Sequence, residues 1–592
     1  MKLIRLKLGV SFRSLQAGFE FDFLKHGESY GGIEPYVLAG PNGSGKSNIL
    51  EVLAAIFYHL ETTPLRDLPE SFRYDEESNP KGFRPETSIP DAFEIEFHHH
   101  KPHQDNLSSA FSITIPSHTR IQVTKEVGES YQSQIVSEDP KKKNKPLSNA
   151  ELRQYLPDHI LAYSSGENET LSLPFFKTRF LHLDEYFELL RKGITQYPDA
   201  PESRLTFLDQ EFSQAILLSN LLMQDENTLT ALRDETKIGS LEQIKIILNR
   251  RLEVPRDEVD QFPTELLITE TNEFEEETFF IPILHLLESK QGAEGDSQNS
   301  FLAPIEKLIR CASFHYHDPE AETLTLDYWV NRDTHDAFAQ NFSSALELFQ
   351  TFQTLLTLNL CTVSTQLKRD LYNSKSPYIN ETIPTLASDE RIMRFKNVQI
   401  TKQGSEDWLL TKDLSDGEHQ HLHSLGLALL YRDQNCLFLL DEPETHFNPE
   451  WRSRFITSLK NCLRTSKHAQ SEILITTHSP FLISDSKPNQ VLVFSKKEEK
   501  LKIKRPEYNT FGASINKITM ETFKQQKTIG GQAQQALAGF RQRFKNGEQD
   551  DAFITEIENT LGDSIEKILL IKTILDNRPP PKRKKGRKLD LD

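Results

Sequence analysis

Gly40-Pro41-Asn42-Gly43-Ser44-Gly45-Lys46-Ser47 decides how this 592-residue chain folds. The stretch has the spacing G-x-x-x-x-G-K-[ST]. The apolar run Tyr36 to Ala39, too short for a helix, precedes it. After it, Ile49, Leu50, Leu53, Ile56, Phe57 and Leu60 recur at helical spacing. The order strand, glycine loop, helix predicts a loop whose backbone N–H groups turn inward onto phosphate oxygens. In that arrangement Gly40 through Asn48 line the phosphates, Lys46 neutralises their charge and Ser47 offers a hydroxyl to Mg²⁺.

A second apolar run, Leu437 to Leu440, ends in Asp441 and Glu442. A buried strand of this kind delivers two acids to a sheet edge, Asp441 to hold Mg²⁺ and Glu442 to polarise the attacking water. Upstream lies Leu414-Ser415-Asp416-Gly417-Glu418, followed by a long helical pattern that gives an anion a hydroxyl, a glycine N–H and a helix N-terminus. Downstream, the strand Ile473-Leu474-Ile475-Thr476-Thr477 runs into His478.

Composition bounds the rest. At about 100–200 residues per domain the length suggests several units, and 37% hydrophobic with 26% charged residues describes a globular chain. Four scattered cysteines with no C-x-x-C point away from a zinc site or disulfide framework. The start MKLIRLKLGVSF lacks an apolar leader, and no apolar run reaches the ~18 residues of a membrane span, so a cytoplasmic location without membrane contact is expected. A net charge of −18 disfavours nucleic-acid binding over the whole surface but leaves room for local basic patches. Two such patches are the loop Lys141, Lys142, Lys143, Lys145 and the tail Lys582, Arg583, Lys584, Lys585, Arg587, Lys588. Either could contact DNA, though runs of this length are more often solvated.

The phosphate loop, LSDGE, LFLLDEP and the histidine of TTHSP, in that order, resemble the P-loop, signature, Walker B and switch histidine of ABC-type ATPases. LSDGE and DEPETHFNPEW are similar to the RecF, SMC and OLD branch. The resemblance implies an α/β ABC-ATPase head with a mixed P-loop sheet. Residues 1–170 and 390–510 would form its halves, with a mostly helical insertion over 171–389 and a helical segment with a basic tail over 511–592. It implies ATP and Mg²⁺ as cofactors, with ATP sandwiched in a homodimer or higher oligomer. Ser415 and Gly417 of one chain would then meet the γ-phosphate held by Lys46 of the other, and His478 would sense that phosphate. Lys46, Glu442 and His478 are the expected catalytic set, and Ser47 and Asp441 the metal ligands. Phe12-Arg13-Ser14-Leu15 is similar to the entry loop of RecF-like ATPases, with Arg13 either near the nucleotide or a solvated loop residue. Gln122 is the candidate for the glutamine expected after the first strands.

His98, His99, His100 and His103 read as a strand end rather than a metal site; His419 and His423 share a helix face beside the signature loop, suited to a polar interface rather than zinc, and His421 points elsewhere. Tyr163-Ser164-Ser165-Gly166-Glu167-Asn168 marks a hand-over from the head to the insertion. No nuclease metal constellation is visible after QVLVF, and long heptads are absent. The C-terminal TFGAS followed by helices resembles PtuA-like ATPases of Septu and some retron systems. Those act with a separate HNH nuclease and, in retrons, with a reverse transcriptase and its RNA–DNA product. The resemblance therefore implies a regulatory ATPase of bacterial anti-phage defence. The alternative is a RecF-like DNA-binding ATPase of repair; a transporter ATPase is disfavoured by the branch markers.

Overall fold

The computed structural model describes residues 1–24, 33–65, 68–99, 119–137, 139, 141–165, 169–191, 204–208, 211–249, 251–254, 256, 259–264, 267–271, 277–282, 303–318, 322–376, 378–379, 382–383, 387, 391–464, 471–497, 500–524 and 529–577. Two compact units divide the chain, Met1–Ala513 and Ser514–Asp592.

The first unit is built on a seven-stranded sheet. Its order is Lys500–Lys504, Val491–Lys497, Tyr36–Ala39, Glu472–Thr477, Cys436–Asp441, His159–Ser164, Leu205–Leu208. All neighbours run parallel except the edge hairpin of Val491–Lys497 with Lys500–Lys504. Tyr36–Ala39, Cys436–Asp441 and Glu472–Thr477 are buried along their whole length, the pattern of a sheet covered on both faces. Strands far apart in sequence become neighbours, which places the C-terminal ends of Tyr36–Ala39, Cys436–Asp441 and Glu472–Thr477 along one sheet edge.

The helix Lys46–Thr62 buries Ile49, Leu50, Leu53, Ile56, Phe57 and Leu60, the set its periodicity predicts. These residues share one core with a second, antiparallel six-stranded sheet ordered Glu20–Asp22, Lys2–Leu8, Phe93–His99, Thr119–Lys125, Gln132–Ile135, Lys145–Leu147. The two sheets are tied at their margin by Glu472, which is buried and accepts from the Leu3 amide at 3.0 Å and from Lys2 Nζ at 3.4 Å.

Helices supply the larger part of the regular structure between 171 and 389, and the stretch also adds seven strands among the described residues. It is not a separate helical block. Leu205–Leu208 extends the parallel sheet, and Ile238–Asn249 pairs with both Thr323–Trp329 and Met393–Lys402 in a five-stranded antiparallel sheet completed by Phe314–Asp318 and Trp408–Leu410. Leu241, Ile244, Ile246 and Leu248 carry that strand's buried face, and the even spacing of the last three is the period-2 signal that the surrounding helical pattern obscures. Arg251–Val254, Glu277–Pro282 and Ile268–Thr271 form a further small sheet.

The second unit consists of Ile515–Glu521, Gly531–Lys545, Asp551–Thr560 and Ile565–Asp576. Leu537, Phe540, Phe553, Ile557, Leu561, Leu570 and Ile574 form its own core. The basic tail from Lys582 to Lys588 lies outside the described residues. No described helix is long and apolar enough to cross a membrane.

Phe57 is fully buried, and its ring meets Phe97 of the antiparallel sheet with centroids 6.3 Å apart. Phe57→Ala is expected to cost about 3–5 kcal/mol, read as an earlier urea midpoint of the full chain. A loss below about 1 kcal/mol would show that the two sheets do not share this core.

Candidate nucleotide-binding site

The phosphate loop departs from ordinary backbone where its glycines stand. Gly40, Gly43 and Gly45 have φ of 152°, 68° and 94°. A Cβ at Gly40 would lie 2.5 Å from the Phe494 carbonyl oxygen, and one at Gly45 2.6 Å from Ser14 Oγ. Side chains are therefore excluded at both positions by space as well as by conformation. Ser44 is buried and its hydroxyl has no hydrogen-bond partner among the described residues, so the loop keeps a donor in reserve.

Lys46 Nζ lies 3.2 Å from Gly40 O, 3.4 Å from Pro41 O and 2.8 Å from His478 Nε2. Burial pushes its pKa down, opposed by the nearby Glu442, Asp441 and Glu444 carboxylates. Ser47 Oγ donates to Asp441 Oδ1 at 2.7 Å, and Thr476 Oγ1 donates to the same oxygen. Burial raises the Asp441 pKa, and those two hydroxyls act against the rise. The hydroxyl from the start of the helix and the carboxylate from a strand end, both oxygen ligands, form the kind of pair that Mg²⁺ accepts.

Glu442 adopts the left-handed conformation, φ 49°, which turns its side chain out of the strand direction. Its amide is held by Thr476 Oγ1 at 3.0 Å and Thr476 O at 3.2 Å. His478 Nε2 stands 3.1 Å from Glu442 Oε1. That hydrogen bond, ahead of the other influences, holds the Glu442 carboxyl below its usual pKa. A single ring nitrogen cannot accept from the Lys46 ammonium and donate to Glu442 at the same moment. The two contacts therefore require different proton positions at Nε2, and His478 stands between the lysine and the acid.

Sequence reasoning missed four residues here. Ser164 Oγ reaches Asp441 Oδ2 at 3.5 Å, and Ser165 Oγ lies 3.0 Å from Thr445 Oγ1, so the polar hand-over segment meets the acid strand. Gly166, Glu167 and Asn168 lie outside the described residues. Thr476 braces both acids, and Thr477 donates to Glu444, whose carboxyl is buried and pushed up to about 7 by desolvation. The signal available in the sequence was the run of hydroxyls just before His478.

Other expectations land differently. Asn48 turns its amide to Ser14 Oγ at 2.7 Å, beneath the loop. Arg13, at φ 51° on a tight Phe12–Leu15 turn, pairs with Glu51 at 2.9 Å and donates to Lys375 O at 3.1 Å. Gln122 is engaged by side chains of the antiparallel sheet. It sits mid-strand, donating to Glu94 and Glu96 at 3.2 Å and accepting from Gln134 at 2.6 Å, because the cross-strand pairs of the antiparallel sheet engage it first.

Ser415 caps the helix Asp416–Leu430 in a reciprocal capping box with Glu418, and Lys402 pairs with that glutamate. Ser415 is exposed at this positive helix end. Gly417 is buried, and a Cβ there would lie 2.8 Å from His446 O. His421 is fully buried against Phe447 and Trp451, and burial lowers its pKa to about 4. His99 is buried with Nδ1 2.9 Å from Tyr155 O, while His100 and His103 lie outside the described residues. Among the described residues no group of three or more His, Cys, Asp or Glu is placed to hold a metal. Lys141, Lys142, Lys143 and Lys145 are exposed.

A parallel sheet carrying a glycine-cradled loop, a lysine and a hydroxyl–carboxylate pair defines a nucleotide-binding ATPase domain of α/β architecture. Residues 198–484 match the family described as "AAA domain, putative AbiEii toxin, Type IV TA system", and residues 11–267 match a family described as "AAA domain". Protein ea59 of Escherichia phage lambda is 25% identical over 26% of this chain and 32% of its own length. The protein named "Retron Vc95 probable ATPase" of Vibrio cholerae is 23% identical over 32% of this chain and 40% of its own length. The chain thus spans well under half the length of these curated relatives. Among solved structures, the SMC head bound to the C-winged helix domain of ScpA aligns over 85% of this chain and 97% of that one, at 11% identity and a TM-score of 0.32. The SMC head domain from Thermotoga maritima aligns over 86% of this chain and all of that one, at 11% identity and a TM-score of 0.30.

Glu444 supplies a pH test of the site. Its folded pKa, about 7, lies above the ordinary value of 4.5, so the folded protein binds the extra proton between those limits. The stability this lends is present in full below pH 4.5 and is lost as pH rises towards 7. Glu444→Gln, which stays neutral, should therefore gain stability relative to the parent chain as pH climbs through that window in melting experiments. Parallel pH curves for the two proteins would mean that Glu444 is already ionised in the folded state.

Proposed function

We propose that this chain is the ATP-hydrolysing regulatory subunit of a bacterial anti-phage defence complex, acting on a separate HNH-type nuclease. The observation that carries the ATPase part is the convergence of Lys46 and Ser47 from a helix start with Asp441, Glu442 and His478 from two strand ends. The buried unpartnered Ser44 hydroxyl and the glycine cradle fit a nucleotide polyphosphate. Ser47 and Asp441 would hold Mg²⁺, which supplies charge neutralisation across the phosphates when bound.

Within this reading the chain's own groups divide the work. The loop amides and Lys46 bind and orient the phosphates. Glu442 orients the attacking water, and His478, within reach of both Lys46 and Glu442, positions the acid beside the phosphate-binding lysine. The exposed Ser415 cap presents a helix N-terminus suited to the phosphate of a second chain, which supports an ATP-sandwiched dimer. Similarity to the retron-associated relative supports the defence setting, and in a retron system the partners would include a reverse transcriptase and its RNA–DNA product.

Glu442→Gln should keep ATP binding, lower turnover by roughly 10²–10⁴-fold, and hold the protein in a larger assembly when ATP and Mg²⁺ are present. Turnover by phosphate release and mass by light scattering check this. Unchanged turnover would remove Glu442 from the role assigned to it. Purified alone, the chain should not cut DNA or RNA with Mg²⁺, and cutting would reject the separate nuclease.

A further inference from the structure

The five-stranded antiparallel sheet has two unlike faces. One buries Ile244, Ile246, Leu326 and Tyr328, with the Tyr328 hydroxyl donating to Leu308 O at 2.9 Å. The pairing registers define the other. Phe314 lies opposite Asp327, which faces Lys245, which faces Lys396; Tyr316 lies opposite Thr325, in the row that ends at Arg394. Trp329 lies opposite Gln243, which faces Gln399, and Trp408 lies opposite Thr401 on the far edge strand.

Four large aromatic side chains therefore share this second face, and all are exposed: Phe314 by 59%, Tyr316 by 45%, Trp329 by 61% and Trp408 by 59%. Single exposed aromatics are ordinary, but four on one sheet face are not. Phe314 and Tyr316 stand with ring centroids 5.9 Å apart. The face spans four strand spacings, about 19 Å. Its two central rows carry Lys245, Arg394 and Lys396 against one acid, Asp327, which Lys245 and Gln243 engage at 2.8 and 2.9 Å. Lys396 is exposed.

We propose that this sheet face binds single-stranded nucleic acid, with bases stacking on Phe314, Tyr316, Trp329 and Trp408 and the backbone phosphates following Lys396, Arg394 and Lys245. Flat rings set among cations match a strand whose bases are free to stack, because every base has a π-face and every nucleotide a charge. A duplex keeps its bases stacked on one another and offers these rings nothing. An apolar protein partner would instead bury Lys396 without a counter-charge, at a desolvation cost that the aromatic area must then offset. The site is independent of the nucleotide-binding loop, and its cationic rows stand out in a chain of net charge −18.

Two of the three tryptophans are on the face, so intrinsic fluorescence reports directly on it. The full chain is titrated with a thymidine single strand of roughly 15 nucleotides and with a duplex of the same length, at about 50 and about 200 mM salt. The single strand should quench the fluorescence and bind tighter than the duplex, with affinity falling as salt rises. The double variant Trp329→Ala, Trp408→Ala, followed by anisotropy of a labelled strand, should bind at least about tenfold more weakly. Trp329→Phe with Trp408→Phe should retain binding, and Lys396→Glu should weaken it and flatten the salt dependence. Melting curves and ATP turnover of the variants establish that they are folded. Should the double alanine variant fail to fold, the Lys396→Glu result decides alone. The proposal is overturned by absence of single-strand binding at the lower salt, by duplex binding of equal strength, or by binding that ignores the face variants and disappears only when the tail from Lys582 to Lys588 is neutralised.

Discussion

Ser47 and Asp441, 394 positions apart, meet in a 2.7 Å hydrogen bond, and much of the structure is arranged around that meeting. A hydroxyl at the start of one helix and a carboxylate at the end of a different strand can touch only if their strands are held near each other in one sheet. Glu472–Thr477 lies between Tyr36–Ala39 and Cys436–Asp441 and does this, and its own C-terminal end then contributes Thr476 and His478 to the same point. Crossing strands in this way is affordable because all three are buried on both faces and lose no backbone hydrogen bonds to solvent.

The site concentrates groups that a folded chain would ordinarily avoid burying. Lys46, Asp441 and Glu444 are all buried, and desolvation moves each away from its ordinary ionisation. Hydroxyls from Ser47, Ser164, Thr476 and Thr477 supply the hydrogen bonds that make this burial tolerable. The left-handed Glu442 adds local strain beside these groups, in the position where the carboxyl must turn towards His478. Preorganisation of this kind leaves the site ready for a polyanion, since the loop amides, Lys46 and the spare Ser44 hydroxyl all need a charged partner.

Legibility in the sequence was uneven for physical reasons. The glycine loop, its flanking strand and helix, and the acid-tipped strand could be read locally because each is short, contiguous and chemically specific. The buried face of Lys46–Thr62 followed from period alone. The strands Ile238–Asn249 and Thr323–Trp329 are not legible locally, since their alternation lies within a stretch dominated by helical patterns and their partners are distant in sequence. Gln122 misled for a related reason: a polar residue on a strand looks available until the neighbouring strands supply Glu94, Glu96 and Gln134 to occupy it.

By itself the sequence determined that a phosphate loop, a pair of acids, a serine-led helix cap and a histidine exist, because those depend on residue type and spacing over a few positions. Only the tertiary structure decided which groups share a site and which faces remain open. It brought Thr476 and Ser164 to Asp441, put His478 within reach of both Lys46 and Glu442, and turned four aromatic rings of separate strands onto one face. Strand order and register make those choices, and they are set by which apolar faces can be buried together across hundreds of residues, a constraint that no local window of the chain contains.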